Sequence, residues 1–179
     1  MQLIIIAETK TITGSEYKYI KEFIKENYGI RGYKLSPIPL NGKQNYHKKE
    51  RIINQYIDSY PSESIVIMFI DLDSPTTNIE QKILNKDIFE YCNAKRYHLV
   101  WFNKTIENVF LGKVIKKDKE KEADDFLRKN KIKDIDICKL SVPNLFNSKP
   151  GESNIKVILD SIFQNNVDKL DQKKKKVPK

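Results

Sequence analysis

The chain has little with which to build a metal site from sulfur or imidazole. Its 179 residues hold only two cysteines, Cys92 and Cys138, far apart and outside any CxxC pair, and two histidines, His47 and His98. That excludes a disulfide framework and a four-ligand zinc site. The cysteines read as reduced, buried thiols, and any metal has to be held by carboxylates. Only six glycines are present. No GxGxxG or P-loop occurs among them, no GxSxG elbow, and no Cys/His pair at a recognisable catalytic spacing. No run approaches the roughly 18 uncharged apolar residues of a membrane span. The opening Met1–Ala7 lacks a basic start, is short for a signal peptide and runs straight into Glu8. The expectation is a cytoplasmic protein with no membrane partner.

What is present suits one compact domain. At 21.0 kDa, with 39% hydrophobic and 32% charged residues, the chain can bury a core. Lys and Arg number 33 against 24 Asp and Glu, for a net +9. The surplus is uneven: from Lys169 onward six lysines stand against Asp171 alone, +5 of that total. We expect a single domain over 1–168 and a basic, disordered tail over 169–179. Such a tail reads equally as a nucleic-acid arm or as a solvated end.

Strand-like and helical patterns alternate. Leu3–Ala7 is a β-branched apolar run of the kind buried on both faces of a parallel sheet. Gly14-Ser15 breaks it, with Ser15 as the expected N-cap of a helix over 16–27. Tyr33–Ile38 reads as a second strand. His47–Tyr60 reads as a helix with Ile52, Ile53, Tyr56 and Ile57 inward. Ser64–Ile70 is the strongest strand in the chain. Asn78–Tyr91 reads as a helix with Ile79, Ile83, Leu84 and Ile88 at helical spacing, and Tyr97–Phe102 as a fourth strand. A short helix over Thr105–Gly112 leads into Lys113–Asp134, where nine basic and six acidic residues leave Ala123, Phe126 and Leu127 as apolar anchors of an exposed helix. Ile135–Leu140 is expected as an edge strand and Asn154–Phe163 as a closing helix. The alternation predicts an α/β fold, a three-layer sandwich on a mostly parallel sheet flanked by helices.

In an open parallel sheet ligands sit beyond the carboxyl ends of the strands. Glu8 follows the first strand, and Asp71-Leu72-Asp73 follows the third. In an extended chain residues i and i+2 share a side, so Asp71 and Asp73 can converge on one hard cation. An acidic residue at a strand end also serves simply to reach water or cap the next helix, and that reading stands beside the metal one. A DxD alone does not choose a chemistry. Haloacid-dehalogenase phosphatases place a hydroxyl residue four positions after the first Asp, where Pro75 stands here. Nucleotide-sugar glycosyltransferases use DxD to hold Mn²⁺ against a diphosphate, a reading that stays open.

The joint order of a strand ending in Glu8, a buried strand ending in Asp71-Leu72-Asp73, and the later block Asn103-Lys104-Thr105-Ile106-Glu107-Asn108-Val109-Phe110-Leu111 resembles the Toprim fold. Within it the likeness is to the RloB-like Toprim proteins of prokaryotic defence loci. Asn103 and Glu107 match that family's Asn-Pro-x-aromatic-Glu-x-Trp-Leu-Leu-like block and Phe110 and Leu111 keep its apolar tail, while its Pro, aromatic and Trp are replaced by Lys104, Ile106 and Val109. Lys149–Asn154 resembles the family's late Ser/Asn loop. The resemblance implies a metal-dependent nuclease hydrolysing the phosphodiesters of DNA or RNA in antiphage defence, with a partner such as an ATPase. It implies Asp71 and Asp73 as ligands of Mg²⁺ or Mn²⁺, Glu8 as general acid or base or a further ligand, and Glu107 as a further catalytic carboxylate. Lys43, Lys48, Lys49, Arg51 and Lys149 are the candidate phosphate contacts. The alternatives are a catalytically weak Toprim module that binds nucleic acid or a partner, and the DxD-dependent nucleotide-sugar transferase.

Overall fold

A computed structural model describes residues 1–73, 77–144 and 148–164. The expected boundary at 168 and the basic tail lie outside these residues, as does Pro75. Four strands form one sheet: β1 (Gln2–Ala7), β2 (Lys34–Pro39), β3 (Ser64–Asp71) and β4 (His98–Phe102). Their order is β2-β1-β3-β4, and every pairing is parallel. The α-helices are α1 (Ser15–Tyr28), α2 (Glu50–Asp58), α3 (Ile79–Lys95), α4 (Ile106–Leu111), α5 (Lys119–Arg128) and α6, residues 155–164.

The continuous apolar runs are strands because both faces of the sheet are covered. Leu3, Ile5 and Ala7 of β1, Ile67 and Phe69 of β3, and Val100 and Phe102 of β4 meet α1, α4, α5 and α6 through Tyr19, Phe23, Phe110, Phe126 and Leu159. The alternate residues Ile4, Ile6, Met68, Ile70 and Trp101 meet α2 and α3 through Ile53, Ile88 and Cys92. The period-2 alternation of the strand thus feeds two cores, one on each face. No helix of the described residues is long and apolar enough to cross a membrane.

Several expectations are corrected. Ile135–Leu140 is no strand: residues Ile137–Leu140 form a 3-10 turn with Asp136 Oδ1 accepting from Cys138 N. The backbone there is bonded elsewhere, with Ser153 N donating to Lys139 O and Val142 N to Ser153 O. The free edge of β4 is instead met by the segment 152–154, chiefly through the side chain of Asn154. Asn154 accepts from Trp101 N at 2.9 Å and donates through Nδ2 to Leu99 O at 2.9 Å, as a neighbouring strand would. The expected helix from His47 is divided into a 3-10 turn (Lys43–Lys49) and α2, in which Ile53 is buried while Ile52 and Ile57 are exposed. In α3 the buried stripe is Asn85, Ile88 and Cys92. Ile79 and Ile83 are 77% and 55% exposed. In the charge-dense segment α5 is followed by a 3-10 turn over Lys131–Asp134, and Cys138 is exposed while Cys92 is buried.

Candidate functional site

The carboxyl ends of β1 and β3 lie side by side in the middle of the sheet, where a 2-1-3-4 strand order has its switch point. The loops leaving them are pinned. Leu40 N donates to Ala7 O, Asn41 N to Thr9 O and Gly42 N to Glu8 O, so the chain after β2 runs on beside residues 7–9. Leu72 N donates to Phe102 O and Asp73 N to Lys104 O, extending the β3–β4 pairing past both strands. The turn from Glu8 into α1 is held by Thr9, whose hydroxyl donates to Thr11 O at 2.8 Å. The N-cap of α1 is Gly14 and not Ser15, whose hydroxyl donates to Glu16 instead. A Cβ on Gly14 would stand 1.7 Å from Thr9 Oγ1, so this close approach requires glycine.

Glu8 reaches across to β3, where its Oε1 accepts from the backbone N of Asp71 at 2.7 Å. Asp71 in turn accepts through Oδ1 from Ile106 N at 2.9 Å, at the first turn of α4. It therefore caps a helix as well as facing the site, with the N-terminal dipole favouring its anionic form. Among the described residues no other hydrogen bond uses Glu8 Oε2 or Asp71 Oδ2. The two residues, with Glu16, Ile20, Phe69, Phe102 and Ile106, line a cavity of about 10 Å³, room for about one water molecule.

Burial dominates the electrostatics, with neighbouring carboxylates adding to it. Burial is the main cause of a Glu8 pKa of about 7, with Lys43 and the Asp71 N–H opposing it and Asp73 and Glu16 adding to it. Burial also pushes Asp71 well above the usual carboxylate range, reinforced by Glu8 and Glu107 and opposed by Lys119. Glu107, on the first turn of α4, is fully buried. Lys119 Nζ, from the start of α5, stands 3.1 Å from its Oε1. Its Oε2 has no hydrogen-bond partner among the described residues, and neither does the nearby buried Tyr19 hydroxyl.

Glu8, Asp71, Glu107 and Asp73 thus share one electrostatic neighbourhood, but the Asp73 side chain is not aimed as expected. Asp73 has φ +57°, which ends the extended alternation that would aim it alongside Asp71. Its Oδ2 instead accepts from Lys43 Nζ at 2.6 Å, and Lys43 also donates to Asp71 O at 2.6 Å. Lys43, expected as a surface phosphate contact, is only 3% exposed and is committed to these bonds. Among the described residues no three His, Cys, Asp or Glu side chains are grouped to ligate one ion. Lys48, Arg51 and Lys149 are exposed and Lys49 half-buried. Lys149 belongs to the loop that borders the carboxyl end of β4, where Gly151 N donates to Asn103 O and Asn103 Nδ2 to Ser148 O. Sequence reading missed Glu16, Lys104 and Lys119 at this edge. A lysine at a helix start and another after a strand carry no local signal that separates them from solvated surface.

No protein-family model matches the chain, and no curated protein matches it. Among solved structures it is similar to a de novo designed Rossmann fold protein at 9% identity, covering 73% of this chain and 96% of that one with a TM-score of 0.33.

Proposed function

We propose that this chain is a divalent-cation-dependent phosphodiesterase of the Toprim type, acting on nucleic acid, with Glu8 and Asp71 at its centre. The observation that carries the reading is the meeting of these two carboxylates at the switch point, each with an oxygen free of hydrogen bonds among the described residues, beside a cavity of about one water. Mg²⁺ is commonly held by one or two carboxylates with water completing its shell, and the buried Asp71 carboxyl, whose pKa Glu8 raises, would be relieved by a cation beside the two. On that donor set Glu8 and Asp71 are the residues that would hold such an ion. Bound there, Mg²⁺ or Mn²⁺ supplies Lewis-acid stabilisation of the charge on a phosphoryl oxygen.

The chain's own residues do the positioning. The Asp71 N–H fixes Glu8, the Ile106 N–H fixes Asp71, and Lys43 holds the β3 carbonyl beneath them. Lys104 and Lys149, exposed on the loops at the carboxyl end of β4, would attract a phosphate backbone. Action within antiphage defence, with a partner ATPase, belongs to this reading through the RloB-like resemblance. One observation favours a Toprim module that binds without cleaving: Asp73 and Glu107 are each already paired with a lysine. A nucleotide-sugar transferase gains nothing, since the cavity beside Asp71 is far too small for a donor sugar nucleotide. The test is incubation with end-labelled single- and double-stranded DNA and RNA in Mg²⁺ or Mn²⁺, with EDTA as control. Metal-dependent cleavage supports the phosphodiesterase. Salt-sensitive binding of all three polymers without cleavage supports the binding module instead.

A further inference from the structure

Lys48, Lys49 and Arg51 stand where the 3-10 turn runs into α2, and the fold carries this junction away from the carboxylates. The Tyr46 ring packs 5.1 Å from Tyr91 of α3, and Tyr91 lies 6.1 Å from Tyr97, just before β4. Glu50 then pairs with Lys95, the last residue of α3. Asn85 Nδ2 donates to Leu72 O, which fixes the middle of α3 at the carboxyl end of β3. Lys95 lies about 15 Å further along the helix. Five cations therefore gather there from two elements: Lys48, Lys49, Arg51, Lys95 and Arg96. Among the described residues only Lys95 of the five pairs with a carboxylate. The remaining carboxylates of α2 and α3 leave the surplus in place. Glu90 pairs with Lys86, Asp58 and Glu80 stand at the far ends of their helices, and Asp87 offsets one charge at most.

Stability does not account for these cations. The helix dipole disfavours positive charge at the start of a helix, yet Lys48 and Lys49 precede α2 and Arg51 sits in its first turn. Lys49 holds the N-cap position without a capping bond, where Ser, Thr, Asp or Asn is preferred. Arg96 takes φ +58° after α3, a conformation that costs glycine least. We propose that this junction is a second nucleic-acid-binding surface, remote from the carboxylates, that grips the phosphate backbone without reading sequence. It requires no cleavage and so stands apart from the phosphodiesterase reading. Lys and Arg supply charge-assisted contacts to phosphate. Beside them the exposed amides of Asn54 and Gln55 offer hydrogen bonds, and the exposed His47 ring, 5.0 Å from Tyr46, offers an aromatic face. A lipid surface calls instead for bulky apolar side chains along one helix face. The exposed Ile52 and Ile57 of α2 are about 140° apart around its axis and form no such stripe.

The experiment is fluorescence anisotropy of the full chain with labelled single-stranded DNA, single-stranded RNA and duplex DNA, without divalent cations, from about 50 to 200 mM salt. A triple variant, Lys48→Gln with Arg51→Gln and Arg96→Gln, removes three exposed cations of the surface. A control, Lys121→Gln with Lys129→Gln and Lys131→Gln, removes three exposed lysines from α5 and the turn after it, across the sheet, and matches the net charge. The first variant binds about tenfold or more weakly at the lowest salt, and its slope of log K against log salt on single strands is smaller by about 2. It melts no lower than the wild type, because positive charge has left the start of α2. The control binds as the wild type does. Wild-type affinity in the first variant, a lower melting temperature for it, equal weakening in the control, or tighter binding of phosphatidylserine vesicles or polyglutamate than of nucleic acid overturns the proposal while the phosphodiesterase reading survives. A wild type that binds none of the three polymers overturns both.

Discussion

Glu8→Gln provides a sharp physical test, because the substitution keeps the geometry and removes only the ionisation. In the folded chain Glu8 titrates at about 7 against an ordinary 4.5, chiefly because burial disfavours the carboxylate. Between these two values the folded state holds a proton that the unfolded state has lost, so stability falls as pH rises across that window and levels off above it. A displacement of that size corresponds to about 3 kcal/mol. The glutamine side chain cannot ionise, and its amide oxygen still accepts from the Asp71 N–H. Glu8→Gln should therefore match the wild type near pH 4.5 and exceed its stability at pH 8 by about 3 kcal/mol. For a chain of this size that is roughly 6–12 °C in melting temperature. Urea or thermal denaturation at pH 5, 6, 7 and 8 without divalent cations reads the difference directly. A variant less stable than wild type at pH 8, or a gap that does not change with pH, would refute the reasoning about burial at this site.

Three further outcomes follow from the same geometry. Because a cation at Glu8 competes with a proton held at a pKa of about 7, Mg²⁺ binding at pH 7 should release about half a proton from this residue, measured by calorimetry in buffers of different ionisation enthalpy. Gly14→Ala places a Cβ 1.7 Å from Thr9 Oγ1 and should destabilise the fold by about 1–3 kcal/mol, seen as a lower denaturation midpoint with an unchanged slope. Asn154→Ala leaves the Trp101 N–H and the Leu99 carbonyl without their partners. It should destabilise by roughly 1–3 kcal/mol for each orphaned group, with faster amide exchange along β4 as the local signature.

The sheet was legible in the sequence for a simple reason: a strand covered on both faces must be apolar throughout, and Leu3–Ala7 and Ile65–Ile70 have no other reading at that length. Glu8 and Asp71 were legible because they end those runs. Asp73 was not, since the i, i+2 argument holds only for extended backbone and the chain turns left-handed there. Lys43 and Lys119 were misjudged or missed because burial of a lysine is decided by a partner far along the chain, and nothing in Gly42-Lys43-Gln44 or Asp118-Lys119-Glu120 announces it. The Asn41-Gly42 turn signal was visible, but not where it aims the next residue. Ile135–Leu140 failed as a strand for a similar non-local reason. Strand pairing needs an open edge, and the side chain of Asn154 had taken it. The late Ser/Asn loop singled out in sequence turns out to finish the sheet: Ser153 Oγ donates to Trp101 O beside the Asn154 bonds.

The central claim is that Glu8 and Asp71 together form a cation-dependent phosphodiesterase centre. Its most direct measurement is single-turnover cleavage of a labelled nucleic acid in Mn²⁺ by the wild type, Glu8→Gln and Asp71→Asn side by side. Each replacement amide keeps an acceptor oxygen, for the Ile106 N–H in Asp71→Asn and for the Asp71 N–H in Glu8→Gln, so both variants retain the fold. The account predicts cleavage by the wild type that EDTA abolishes and that falls by about 10²-fold or more in each variant. Cleavage at wild-type rates in either variant, or none by the wild type with any of the three polymers, contradicts it.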